Sequence, residues 1–447
     1  MIDESNARAC FEWAMHEARK QSVRDLEMAL CASESALTRF ANNTIHQNVS
    51  DESRSASIRV AIGQRTARVS TNRLDEASIR RATAQAIELA RANEEDPGLP
   101  PMAMPEDIVP VDRWDEATAA LPAESRAGAV REAIAAITTR HASAAGIFSN
   151  ERSTQTLLNS NGVFARHNET GAGFSVTATA TDSSGWAKAS SVRASDIDTL
   201  ALAKSAAEKA VLSKTPRRME PGMYRVILEP AAVLDLVGQI FADCSATALD
   251  EERSFLNGRL GQRIFAANIT IRDDVRHPLQ NGAPFDGEGV PRRGLTLFEN
   301  GHPREMPYSR TAALRNGHSP TGHGYALPND VGESPSNIVV EGGSATMPEL
   351  MAKLGQGILV TRLWYIREVD PFRKVMTGMT RDGTFLVEDG EIQHGLHNFR
   401  FNISVVDLLN AVEAMTPSSR STGEESFDMV VPAMLVAQFP FTEVTLF

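Results

Sequence analysis

The second half of this chain is punctuated by Asn-Gly and Asp-Gly pairs. They stand at Asn257-Gly258, Asn281-Gly282, Asn300-Gly301, Asn316-Gly317, Asp382-Gly383 and Asp389-Gly390. Such pairs accept positive φ at both positions, which tight hairpin turns demand. Here they separate short runs of alternating apolar residues, a pattern that a helical domain cannot accommodate. Residues 222–447 are therefore expected to form a β-rich, mostly antiparallel domain. After an opening strand and a helix begun at Glu229-Pro230, one further helix interrupts it, announced by the capping box Thr346-Met347-Pro348-Glu349 ahead of Leu350 and Leu354.

The first half reads differently. Residues 5–21 carry Ala7, Phe11, Ala14, Met15 and Ala18 at helical spacing. Strand-like runs follow at Leu26–Ala32, Thr38–Val49, Ser55–Val60 and Arg65–Ser70, then a helix over Leu74–Ala92 with Asp75 and Glu76 in its first turn. The stretch Glu94–Pro110 holds five prolines and several acids and marks a boundary. A second unit, 111–217, opens with a helix over Glu124–Thr139. Four strands follow over 146–182, turned in the middle by Asn159-Ser160-Asn161-Gly162, and a helix over Ile197–Val211 closes the unit. The expected organisation is 1–95, 111–217 and 222–447. The class is α+β, with a mixed α/β N-terminal half.

Composition narrows function by exclusion. The 447 residues carry a net charge of −12, which argues against a surface that tracks nucleic-acid phosphates. Cys10, Cys31 and Cys244 form no CxxC pair and read as reduced thiols. Neither a signal sequence nor a membrane-length apolar run is visible, so a cytoplasmic location is expected. There is no GxSxG elbow, GK[ST] phosphate loop or GxGxxG after a strand. Gly171-Ala172-Gly173 is too short to cradle a phosphate.

Several segments, in order, resemble the TldD/PmbA peptidase family. They are TGHG at Thr321–Gly324, GILVTRLWYIREVDP at Gly357–Pro371, TGMTRDGTFLVEDGEI at Thr377–Ile392 and NFRFN at Asn398–Asn402. LNSNG at Leu158–Gly162 and VVPAMLVAQFPFT at Val430–Thr442 add support. The resemblance implies a two-chain complex that trims or degrades unfolded peptides. One chain, of TldD type, binds zinc through a helical HExxxH and a later cysteine; the other, of TldE or PmbA type, lacks those ligands.

Aligned on the family motif, the helix after Pro230 places Leu234, Asp235 and Gln239 where His, Glu and His would stand. Leucine cannot ligate zinc, and the only cysteine in the third unit is Cys244. The expectation is a chain without its own catalytic or metal residues and without a cofactor, with zinc carried by a TldD-type partner. A stand-alone metallopeptidase with divergent ligands and a homodimeric peptide-binding scaffold are the alternatives. His318, Thr321, His323, His394 and His397 are candidates for lining a substrate chamber. Asp286-Gly287-Glu288-Gly289-Val290-Pro291 resembles a family segment without an assignable role.

Overall fold

The computed structural model describes residues 1–445. Six strands of the N-terminal half make one antiparallel sheet: β1 (Asp25–Ala41), β2 (Thr44–Ile62), β3 (Arg65–Thr71), β4 (Ser143–Asn159), β5 (Phe164–Thr179) and β6 (Ser184–Ser191). Their order is β3-β2-β1-β4-β5-β6. The Pro-rich boundary divides the sequence but not the sheet, because β1 pairs with β4 from Glu27↔Asn159 to Phe40↔Gly146. That segment lies against the rest of the protein: Asn159 and Asn161 donate their side-chain N–H groups to the Ala103 and Met102 carbonyls.

The strands are longer than the sequence runs suggest. Leu26–Ala32 and the first part of Thr38–Val49 belong to the single strand β1, and the turn falls at Asn42-Asn43, both at positive φ. Likewise β4 is continuous through Ser153 and Thr154. Polar residues on both faces, such as Ser33, Glu34, Ser153 and Thr154, broke the apolar alternation and hid this continuity.

Period-two alternation gives the sheet two different faces. Leu26, Met28 and Leu30 pack under α1 (Glu4–Lys20) and α2 (Glu76–Ala92). Past a short helix α3 (Glu116–Ala119), Phe148, Phe174 and Val176 pack with α4 (Ala123–Thr138) and α5 (Thr199–Leu212). The opposite face carries Glu27, Glu151, Glu169, Lys188 and Ser190. It is turned toward the C-terminal domain, as the ties from Lys188 to Gly423 and Ser190 to Asp428 show.

The C-terminal domain is strand-rich, as expected. One sheet orders as β10-β9-β8-β11-β18-β17, with β8 (Ile271–Asp273), β9 (Leu295–Glu299), β10 (His302–Pro303), β11 (Ile338–Val340), β17 (Ser419–Ser421) and β18 (Met429–Val431). The other runs β12-β7-β19-β15-β13-β14. Its members are β7 (Gly222–Leu228), β12 (Gly357–Asp370), β13 (Val375–Glu388), β14 (Glu391–Gly395), β15 (Phe399–Ser404) and β19 (Met434–Val444), with β16 (Val412–Met415) beside β19. Pairing of β12 with β13 closes five of these strands into a ring. Helix α6 (Pro230–Val237) lies in the core with Phe241, Phe298, Phe399, Phe401 and Phe439. Each buried phenylalanine contributes about 1.5–3 kcal/mol. An exposed pair such as Arg304–Glu299 adds at most about 1 kcal/mol, so this core and not surface charge holds the domain.

The Asn-Gly and Asp-Gly pairs take several roles. Asn300-Gly301 and Asp389-Gly390 turn hairpins at positive φ. Gly317 is instead the left-handed cap of a helix over Arg310–Asn316. Asp382 and Gly383, read as a turn, sit inside β13 as a bulge, where a Cβ on Gly383 would stand 2.4 Å from Thr361 Oγ1. Among the described residues, no helix is long and apolar enough to cross a membrane.

Candidate functional site

Helix α6 follows β7 directly, with Pro230 in its first turn, where the missing N–H costs nothing. Leu234 and Asp235 are both fully buried. Asp235 Oδ1 accepts the Glu425 N–H at 3.0 Å. Its Oδ2 has no hydrogen-bond partner among the described residues. Burial pushes the Asp235 carboxyl up to about 7; the Glu425 carboxylate adds to this, and the N–H bonds from the 424–425 backbone and Arg362 oppose it. Gln239 Nε2 donates to the Asp235 carbonyl at 3.0 Å and to the Glu425 carbonyl at 3.2 Å.

The loop that receives these bonds occupies the space above the helix. A Cβ on Gly423 would stand 2.1 Å from Asp235 Oδ1 and 2.6 Å from Leu234 Cδ2. Glu425 in turn accepts the Tyr365 N–H at 2.7 Å and the Ile366 N–H at 3.2 Å. The loop is thereby tied to both α6 and β12. Leu234 offers no donor atom, while Asp235 and Gln239 spend polar groups on backbone. These residues do not fit a zinc ion, which needs three or four ligating side chains. Among the described residues, no group of three or more His, Cys, Asp and Glu side chains is placed to hold a metal.

The histidines do not converge. His318 is exposed, its ring centroid 4.6 Å from that of Tyr308. His323 is buried, with Nε2 3.3 Å from Asp273 Oδ1 and Nδ1 3.0 Å from Thr321 Oγ1. This Thr-His-Asp order resembles a hydrolase triad. However, Thr321 Oγ1 already accepts the Tyr308 N–H at 2.9 Å, and all three side chains are sealed from solvent. The cluster pins strand to loop, because Asp273 Oδ2 also takes the Ser336 and Asn337 N–H groups.

His394 is half-buried at the end of β14, with Nδ1 3.1 Å from the Gly395 carbonyl. The chain breaks its extended course here, since β14 ends at Gly395 and β15 begins at Phe399. His397 lies in the break and lines a cavity of about 590 Å³ with Asp182, Asp382 and Gly383. The Asp286–Pro291 segment is a closed loop. Asp286 accepts the N–H groups of Glu288, Val290 and Gly324 at 2.7–2.9 Å. Burial raises both the Asp286 and Glu288 carboxyls, and proximity to Asp286 contributes to raising Glu288 to about 8.

A polar cleft between the two halves escaped the sequence reading. It encloses about 280 Å³ above β4, β5 and β6 and beneath the 420–428 segment. Arg420 donates to Asp428 Oδ2 at 2.8 Å, to Ser190 Oγ at 3.1 Å and to the Leu279 carbonyl at 3.1 Å. Lys188 Nζ reaches the Gly423 carbonyl at 2.6 Å and Glu424 Oε1 at 3.3 Å. Glu169 accepts the Gly282 N–H at 2.7 Å and lies 3.5 Å from His167 Nε2. Burial opposes its charge, but His167 and the Gly282 N–H outweigh that and hold its carboxyl below the usual range. For Glu151, burial first and the Glu169 and Asp428 carboxylates second push the carboxyl up. Gly171 and Gly173, two apart on β5, were the available signal.

Comparison with known proteins places this arrangement. The PmbA/TldA metallopeptidase domain 1 matches residues 27–90, the central domain 111–214 and the C-terminal domain 221–443. A metalloprotease of Methanothermobacter thermautotrophicus is 24% identical over 228 residues, 48% of this chain and 47% of that protein. A zinc metalloprotease TldD homolog of Saccharolobus solfataricus is 28% identical over 211 residues, 44% of each chain. The chain thus spans about half the length of these curated relatives. The crystal structure of TldE from Thermococcus kodakarensis superposes with a TM-score of 0.88 at 19% identity, covering 97% of this chain and all of that one, and shows the same fold. With all three domain matches in order along it, this chain belongs to the PmbA/TldD metallopeptidase family.

Proposed function

We propose that this chain is a non-catalytic, TldE/PmbA-type subunit of a cytoplasmic zinc metallopeptidase complex. It pairs with a zinc-bearing TldD-type chain, closes the proteolytic chamber and helps to hold unfolded peptides for trimming or degradation. One observation carries the reading. The three HExxxH positions hold Leu234, Asp235 and Gln239, and the Gly423–Glu425 loop fills the space a metal would need. A stand-alone peptidase built on His318 and His323 is disfavoured, since one is exposed and the other sealed against Asp273. Extended peptides are commonly held by strand addition at a sheet edge, and both six-stranded sheets keep such edges.

The test is to purify the chain alone and co-expressed with a TldD-type chain, then measure bound zinc and cleavage of an unfolded peptide. Zinc and cleavage are expected only with the partner. Stoichiometric zinc and proteolysis by this chain alone overturn the proposal. A stable homodimer that binds peptide but never associates with a TldD-type chain would replace it with the scaffold reading.

A further inference from the structure

We infer that the interdomain cavity lined by Arg113 and Gln280 binds a carboxamide group, with Arg113 donating to its oxygen and Gln280 accepting its N–H. The cavity encloses about 450 Å³. One wall is the end of β6, from Ala189 to Ser191, with Val192 and Arg193 beyond it. The other is the Pro278–Gln280 turn of the C-terminal domain. Arg420 lines both this cavity and the polar cleft over β4, β5 and β6.

Both receiving side chains are buried: Arg113 is 7% exposed and Gln280 1%. Main-chain carbonyls hold the Arg113 guanidinium. Its Nη1 donates to Asp112 at 3.1 Å, and its Nη2 donates to Val275 at 2.9 Å and His277 at 3.0 Å. Its Nε has no partner among the described residues. Gln280 Nε2 donates to the Ile338 carbonyl at 2.7 Å, while Oε1 has no partner among the described residues. The His277 carbonyl also accepts the Gln280 backbone N–H at 2.9 Å, so both residues are fastened to one carbonyl. These bonds fix the planes of the guanidinium and the carboxamide, and neither can turn to satisfy its spare atom. A buried donor and a buried acceptor left unpaired are both unfavourable, and a ligand that pairs them removes the penalty.

Charge balance and donor balance together set the ligand class. Arg420 is spent on Asp428, which leaves Arg113 and Arg193 against Asp112 and Asp196 in the lining, so the cavity calls for a neutral ligand. Burial and the Arg420 charge work against the Arg113 cation, while the Glu169, Asp112 and Asp274 carboxylates favour it from beyond ion-pair distance. A carboxylate ligand would set an acceptor against Gln280 Oε1, and an ammonium would set a donor against Arg113 Nε. A carboxamide carries an acceptor oxygen and an N–H donor in one plane and meets both needs. Ala189, Val192, Ile197 and Leu279 offer apolar surface to the carbon atoms beside it. Two sources share this chemistry: the backbone group of a peptide and the side-chain amide of asparagine or glutamine. That the amide belongs to a peptide substrate rests on the proposed subunit role; the recognition chemistry does not.

The isotope-labelled full chain is titrated by NMR, following the Arg113 Nε–H resonance. The probes are N-acetyl-alanine N-methylamide, N-acetyl-glutamine N-methylamide and methyl O-acetyl-lactate, which replaces both N–H groups of the first by oxygen. At least one amide is expected to shift the resonance saturably within about 100 mM, the range open to ligands of this size. Equal affinity of the two amides identifies the backbone group as the source. Binding of the glutamine probe at least about fivefold tighter identifies the side-chain amide. The ester, which offers Gln280 no donor, is expected to bind at least about fivefold more weakly than the better amide. Gln280→Met removes the acceptor and should abolish that difference. Its thermal midpoint is the folding control; where it unfolds, the amide-to-ester ratio of the wild-type chain alone decides. Absence of a saturable shift with either amide, as a cavity served by water alone would give, overturns the inference. So does equal binding of ester and amide. Amide binding without any partner-dependent proteolysis overturns only the subunit reading; partner-dependent proteolysis without amide binding overturns only this inference.

Discussion

Asp235 and Glu425 meet through a single hydrogen bond, with the Glu425 N–H on Asp235 Oδ1 at 3.0 Å. The bond gives Asp235 a structural role. It holds a loop whose other contacts reach Gln239, Tyr365 and Ile366.

The first prediction concerns pH. The Asp235 carboxyl lies at 3.8 by default and at about 7 in the folded chain. The folded state therefore binds the proton more tightly, and stability from this group is full below pH 4 and lost as pH rises to 7. The loss amounts to roughly 4 kcal/mol as an upper bound. Asp235→Asn keeps the bond to Glu425 N–H and carries no charge. Its thermal midpoint relative to wild type should rise between pH 5 and pH 8, by several degrees. A constant difference across that range would refute the assignment.

Gly423→Ala tests the plug. Its Cβ would approach Asp235 Oδ1 to 2.1 Å, so the loop or the helix must move, at a cost of about 1–3 kcal/mol. Asp235→Ala removes the clashing atom. Combined, the two substitutions should cost less than their separate effects added together, measured by urea denaturation. Strict additivity would mean that the two residues do not share this contact.

Arg362 joins the halves. Its guanidinium donates from both Nε and Nη2 to Asp382 Oδ2 and lies 4.9 Å from the Trp186 ring centroid, while Ser184 Oγ donates to Asp382 Oδ1. Arg362→Ala strands a buried carboxylate and should destabilise by about 3–5 kcal/mol, with a change in Trp186 fluorescence. Arg362→Lys loses the fork and the stacking and should recover only part of that. Full recovery by lysine would show that charge alone is what matters there.

The Asp286 loop gives a graded series. Asp286→Ala frees three buried N–H groups, while Asp286→Asn retains an acceptor for the Glu288 and Val290 N–H groups. Each stranded N–H costs about 1–3 kcal/mol, partly offset by loss of a buried charge. The alanine variant should therefore unfold at clearly lower denaturant than the asparagine variant. Equal midpoints would remove the loop-closing role.

Much of this was legible in the sequence, and the reasons are local. Helix limits came within a few residues because caps and apolar spacing act over a single turn: Asp75 caps α2, and the Thr346 capping box opens the helix over Met347–Leu354. The hairpin at Asp389-Gly390 was visible for the same reason. Strand continuity through 33–37 and 153–154 was not, because polar, half-exposed residues there interrupt the apolar pattern while the backbone pairing of β1 with β4 runs on unbroken. Likewise Asp382-Gly383 has turn chemistry, but its place opposite Thr361 and Arg362 makes it a bulge.

By itself the sequence determined the class of the fold and its alternation, since these rest on residue identity and short-range spacing. Tertiary structure alone decided that the first two units share a sheet and that a glycine-bearing loop closes over Asp235. Those outcomes depend on which side chains meet across more than a hundred residues of chain. Burial and charge balance act through space at such contacts, and no local pattern encodes them.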